Sequence, residues 1–147
     1  MNAGNRTTEE TEIRRVIEDR VAALHARDVD RLLRHYAPDF LSFDVVTPLQ
    51  RSGLEDVRTR AEEWFGGFDG PIGCEIRDLS IAAGDGVAFC HSLNRVHGKT
   101  RDGATINMWV RATVGLRKQG GAWLITHDHT SVPFDVKSGQ ARIDLEP

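Results

Sequence analysis

Thr105-Ile106-Asn107-Met108-Trp109-Val110-Arg111-Ala112-Thr113-Val114-Gly115-Leu116 decides the fold. Every even position is apolar, and the odd ones include Asn107, Trp109, Arg111 and Thr113. Strand side chains alternate between two faces, so this run is a strand. One face looks onto a core or cavity; the other carries Trp109 and Arg111, a mixture suited to a protein interface. Similar runs lie at about Cys74–Ala82, Val87–Gly98 and Ala122–Val132. The connections Gly84-Asp85-Gly86, Arg101-Asp102-Gly103 and Gln119-Gly120-Gly121 are short and glycine-bearing, so consecutive runs pair as antiparallel hairpins. Strands well beyond the usual ~5–6 residues coil with the natural sheet twist, which makes the sheet curved.

The first half reads differently. Thr7 and Glu10 have capping-box spacing, and Ile13, Val16, Ile17, Val21 and Leu24 follow the helical period behind them. Asp28 caps a second helix that runs to about Tyr36, where Pro38 stops it. Phe40–Val46 is an aromatic and β-branched strand, Leu54–Phe65 a third helix, and the segment bearing Gly66, Gly67, Gly70, Pro71 and Gly73 a loop. The expectation is an α+β cone, a curved, largely antiparallel (mixed) sheet wrapped around three N-terminal helices. Residues 1–6 read as a flexible tail, 7–134 as a single domain and 135–147 as a C-terminal tail, loose or docked on a partner.

Composition narrows the function. With 147 residues, 39% hydrophobic and 28% charged, the chain is one globular domain and neither disordered nor fibrous. Lys and Arg number 19 against 22 Asp and Glu, with no basic block, so nucleic acid is not a partner. No apolar run approaches the ~18 residues of a membrane span. The polar Met1–Arg6 is unlike a secretory signal. Cys74 and Cys90 have no metal or redox spacing and read as reduced thiols of a cytoplasmic protein.

The residues that break the pattern carry the chemistry. Arg20 falls on the apolar stripe of the first helix, so its guanidinium either meets a carboxylate, carbonyls or a ligand anion, or snorkels out along the stripe. Asp44 shares a strand face with Phe40 and Ser42. In an apolar pocket its carboxylate would be a general base; alternatively it caps the turn at Val46-Thr47-Pro48. Phe89, His91, Leu93 and Arg95 share one strand face, and if that bulky set turns inward His91 lies in the cavity; alternatively it is a structural histidine. His127 and His129 share a face at a spacing metal sites use, with Asp128 on the other. Two ligands do not make a zinc site, so no metal is expected. The pair suits hydrogen bonds across the sheet or a subunit contact, with a metalloprotein as the remote alternative. Trp64 and Phe65 line a pocket mouth or pack in the core.

Val21-Ala22-Ala23-Leu24, Asp28-Val29-Asp30, Tyr36-Ala37-Pro38-Asp39 and Arg51-Ser52-Gly53 look like the start of ketosteroid isomerases. The segment Gly121-Ala122-Trp123-Leu124-Ile125-Thr126-His127-Asp128-His129-Thr130-Ser131 is similar to the last strand of SnoaL-like proteins and of the calcium/calmodulin-dependent kinase association domain. From about Glu10 to Phe134 the chain resembles the nuclear transport factor 2-like superfamily, in its SnoaL-like and ketosteroid isomerase-like branch.

The resemblance implies a cone fold and a range of functions from isomerases, cyclases and dehydratases to assembly modules. It places Asp44 on the isomerases' catalytic aspartate and Arg20 on their oxyanion-donating tyrosine. Val114 falls where they keep a protonated aspartate. Leu93, Val114 and Thr130 stand at the pocket arginines of the kinase association domain, so that anion pocket is not reproduced. It turns His91 and Asp128 toward the cavity and His127 and His129 outward.

The implied protein is a cofactor-independent isomerase, cyclase or lyase for a small apolar or carbonyl-bearing ligand. Asp44 is its base, Arg20 its electrostatic stabiliser, and His91 or Asp128 a second acid or orienting group. Tyr36, Phe40, Trp64, Met108, Val114 and Thr130 shape the pocket, and a homodimer forms through the Trp109 and Arg111 face. The alternative is a non-catalytic ligand-binding or oligomerisation module.

Overall fold

The computed structural model describes residues 3–147. Helix α1 spans Ala3–Ala26, α2 Val29–Leu33 and α3 Gly53–Gly66; the strands are β1 Tyr36–Phe43, β2 Arg51–Ser52, β3 Phe68–Gly84, β4 Val87–Thr100, β5 Thr105–Gln119 and β6 Ala122–Ser131. α1 begins upstream of Thr7, the expected cap, whose side chain lies outside the described residues. α2 is shorter than expected and does carry its cap, with Asp28 Oδ1 accepting from the Arg31 N–H at 3.0 Å.

The sheet runs β2-β1-β6-β5-β4-β3. The hairpins β3–β4, β4–β5 and β5–β6 are antiparallel as expected, and β1 joins β6 in parallel, which makes the sheet mixed. It is curved and does not close, and the helices fill its hollow: the α+β cone. Ile13 and Ile17 of α1 meet Phe65 of α3, Val114 and Leu116 of β5, and Ile125 of β6 in one core.

Three of the four departures from regular pairing matter for the hollow. On β1, the register slips between Tyr36 and Leu41. Pro38 lies in that interval and has no N–H for the ladder. Tyr36 and Phe40 then both turn inward, in edge contact at 4.6 Å between ring centroids. On β3, a slip between Arg77 and Ser80, with Asp78 at φ 57°, bends the strand. On β6, Gly115 pairs with His127 while Leu116 pairs with Ile125, leaving Thr126 as an extra residue. That bulge exchanges the faces, so Trp123 and Ile125 point inward before it and Asp128 and Thr130 after it.

The glycine-rich segment expected as a loop is mostly the start of β3. Beyond β6 the chain folds back on itself: Phe134 bridges Ala141, the Asp135 N–H donates to the Gln140 carbonyl at 2.8 Å, and Asp135 Oδ1 accepts from the N–H groups of Lys137 and Ser138.

Candidate active site

A cavity of about 210 Å³ lies between the sheet and the helices. Leu24 of α1, Tyr36 and Phe40 of β1, and Val57 and Trp64 of α3 make its apolar wall. Into it come Arg20 from α1, Ser42 and Asp44 from β1 and its end, Arg51 from β2, Asp56 and Arg60 from α3, and Asp128 and Thr130 from β6.

Arg20 holds the position its spacing predicts, on the buried face of α1 with a side chain only 12% exposed. Its carboxylate is Asp128, with Nη1 4.0 Å from Oδ2. Burial works against the guanidinium charge, but Tyr36 and Asp128 beside it outweigh that and raise its pKa, so Arg20 stays a cation. Its Nε is buried and has no hydrogen-bond partner among the described residues.

Asp128 is drawn in by Ser42, whose hydroxyl donates to Oδ1 at 2.5 Å. Burial pushes this carboxyl above the usual carboxylate range, with Asp44 adding to the push and Arg20 and Ser42 resisting it. Burial likewise raises the pKa of Tyr36, which keeps its O–H as a donor beside Arg20.

Asp44 faces the cavity with a side chain 16% exposed and accepts from Arg60 Nε at 2.6 Å through Oδ2. Its Oδ1 also accepts from the Val46 N–H at 3.4 Å, so Asp44 lines the cavity and caps the turn at once. The cation paired with Asp44 therefore comes from α3 and not from α1.

Tyr36, Phe40, Trp64 and Thr130 line the cavity as expected. Met108 and Val114 do not: Val114 is sealed in the core, and Met108 sits half-buried on the inward face of β5. His91 is a correction. The β4 face turned inward is the small one, with Cys90 and Asn94 buried, while His91 is exposed on the outer face and Phe89 is 53% exposed. Small side chains let the sheet approach the helices closely, which a row of Phe, His and Arg would prevent.

His127 and His129 also lie outward, where both rings meet the edge of Phe43, and His127 Nδ1 is 2.7 Å from the Leu41 carbonyl. Among the described residues no three His, Cys, Asp or Glu side chains converge as metal ligands. Trp109 sits under the Arg77 guanidinium, 6.0 Å from the ring centroid, and Arg111 Nε donates to Ser131 Oγ at 3.1 Å. Cys74 and Cys90 are free, and burial raises both thiols, Cys90 to about 11.

Sequence reasoning missed Arg51, Asp56 and Arg60. The one available signal was the helical spacing from Asp56 through Arg60 to Trp64, which puts three large polar or aromatic side chains on one face of α3. Chemically, the cavity offers carboxylates to move protons and a buried cation and a phenol to meet a developing negative charge.

Residues 13–135 match the SnoaL-like domain family, and the chain belongs to it. An NTF2-like protein of unknown function from Pseudomonas putida has 35% identity and a TM-score of 0.87 over 96% of this chain and 98% of its own. A ketosteroid isomerase-like protein from Erwinia carotovora (17% identity, TM-score 0.71, 82% of this chain and 93% of its own) shares the fold. So does a proposed scytalone dehydratase from Novosphingobium aromaticivorans (12% identity, TM-score 0.78, 95% and 97%). No curated protein matches the sequence.

Proposed function

We propose that this SnoaL-like protein is a cofactor-independent isomerase, cyclase or lyase that moves a proton beside a carbonyl group of a small molecule. One observation carries the reading: Asp44, Asp128 and the buried cation Arg20 enter a single cavity beside an apolar wall of Leu24, Tyr36, Phe40, Val57 and Trp64. Asp44 takes the proton from the acidic C–H. The electrons move onto the carbonyl oxygen, which lies toward Arg20 and the Tyr36 hydroxyl; charge there gains most from fixed donors in a water-poor site. Asp128, held by Ser42 and displaced toward its neutral form, orients Arg20. It can also deliver a proton to a second carbon or to a leaving hydroxyl. His91 has no part in this scheme.

Proton exchange tests this without an identified substrate. A panel of cyclic ketones, enones and aryl ketones is incubated in deuterium oxide, and exchange of the C–H beside the carbonyl is followed by NMR. The expected result is exchange above buffer for at least one compound, lost by a factor of about 100 or more in Asp44→Asn. Exchange that persists within a few-fold in the variant removes Asp44 from the role.

A non-catalytic ligand-binding module is the second reading, favoured by the Asp44–Arg60 contact, which a base must loosen before it accepts a proton. It predicts ligand binding without exchange for every compound in the panel.

On the outer face of the sheet, Trp109 and Arg111 with the exposed Phe89 are the surface for a second copy of the chain. Sedimentation should show a dimer, and Trp109→Asp a monomer. No helix among the described residues is long and apolar enough to cross a membrane, and two free thiols suit the reducing cytoplasm.

A further inference from the structure

Beyond the acid–base set, the cavity holds cations that the proton transfer does not use. Arg51, on the short strand β2, lines it with a side chain 16% exposed. Its ion-pair partner is Glu63, 3.6 Å from Nη2 and mostly exposed to water. Arg51 Nε is buried with no hydrogen-bond partner among the described residues, as is Arg20 Nε in the same cavity. Buried guanidinium donors are ordinarily satisfied, and both of these side chains line the cavity.

The other charges are already engaged. Arg60 is bonded to Asp44, and Asp56 Oδ2 accepts from the Ser52 N–H at 2.9 Å at the start of α3. Arg20 faces Asp128, and Asp128 lies displaced toward its neutral form. Of the cavity cations that the proton transfer leaves unused, Arg51 is the one whose partner is mostly exposed to water.

We propose that the substrate carries a carboxylate as well as its reacting carbonyl, and that Arg51 is the residue that selects for it. The planar fork of a guanidinium matches the two oxygens of a carboxylate. A doubly charged phosphate is disfavoured, because Asp44 and Asp56 line the same walls and would repel its second charge. The inference rests on the cavity being the small-molecule site of the proposed reaction. It adds the direction in which the molecule lies: carboxylate toward β2 and the start of α3, carbonyl toward Arg20 and Tyr36.

Binding of 4-acetylbenzoate and its neutral counterpart 4-acetylbenzamide, measured by calorimetry on the full chain, tests it. The expected result is roughly tenfold tighter binding of the carboxylate, weakening with added salt. Arg51→Gln should abolish that preference while changing amide binding less than about twofold, and Arg51→Lys should keep part of it, since it restores charge without the fork. Matching thermal unfolding curves show that both variants fold. Equal affinity for the two compounds, no binding of the carboxylate, or an Arg51→Gln loss shared by both overturns the proposal. A carboxylate preference with no proton exchange in any compound of the panel sinks the reaction and leaves the specificity; exchange without the preference does the reverse.

Discussion

Asp44 Oδ2 accepts a 2.6 Å hydrogen bond from Arg60 Nε, so the acid at the end of β1 is held by the helix lying over it. Both side chains are part-buried. Arg60→Gln should therefore cost about 1–2 kcal/mol, between the values for exposed and buried pairs. It should also slow exchange by letting the carboxylate turn away. Urea unfolding and the exchange assay check the two effects; full stability with unaltered exchange would show that the contact positions nothing.

Asp128 should give the protein an unusual pH dependence. Its pKa is raised from 3.8, so the folded chain holds this proton where the unfolded chain has lost it. Folding stability from this group is thus fully present below 3.8 and declines as pH rises through the folded value. Asp128→Asn cannot titrate. The difference in unfolding free energy between the two proteins should move in favour of the variant as pH rises from 3.8 to the folded value and level off above it. A difference that moves toward the wild type instead would mean that Arg20 and Ser42 dominate over burial.

Asp19 works in the opposite sense. It binds Arg31, which makes the largest contribution, and His35 Nε2 at 2.6 Å, which together lower its pKa to about 2. Its stabilisation is present above 3.8 and lost as pH falls toward 2. The side chain is more than a third exposed, and solvent screening reduces the effect to about 1 kcal/mol or less. Asp19→Asn should be less stable than wild type at neutral pH by that amount, with the gap closing in acid. An unchanged gap at pH 2–3, read from urea unfolding, would contradict the assignment.

Gly73 makes room for the His97 ring beside β3. A Cβ there would sit 2.0 Å from His97 Nε2, so Gly73→Ala must displace the ring, at a cost of about 1 kcal/mol. The clash is with a side chain, and Gly73→Ala combined with His97→Ala should recover most of the loss. Failure of the second change to rescue the first would place the strain in the backbone.

The alternation in Thr105–Leu116 and the glycine connections made the long hairpins legible, and the stripe of α1 made Arg20 legible as a buried cation. The rest depended on choices that periodicity leaves open. For β4 the alternation was right and the inward face wrong, because a row of small residues is as regular as a row of large ones and only packing against the helices separates them. In β6 the bulge at Thr126 changes which residues face inward midway, and nothing at Thr126 marks it. Asp128 was placed correctly by its opposition to two histidines and not by the pattern of Trp123 and Ile125. Arg60 stood among the charged residues that make most surface helices polar, Arg51 lay in the break before α3, and only the fold of α3 and β2 against β1 turned them into the cavity.

Negative charge developing beside Arg20 is the step on which the proposed reaction turns. A series of substituted phenols of similar size and graded acidity places an oxygen of graded charge in the cavity, and their dissociation constants measure how strongly that oxygen is stabilised. Affinity should rise steadily with phenol acidity in the wild type and lose that trend in Arg20→Gln. Affinities indifferent to acidity in the wild type, or a trend unchanged by the substitution, would contradict it.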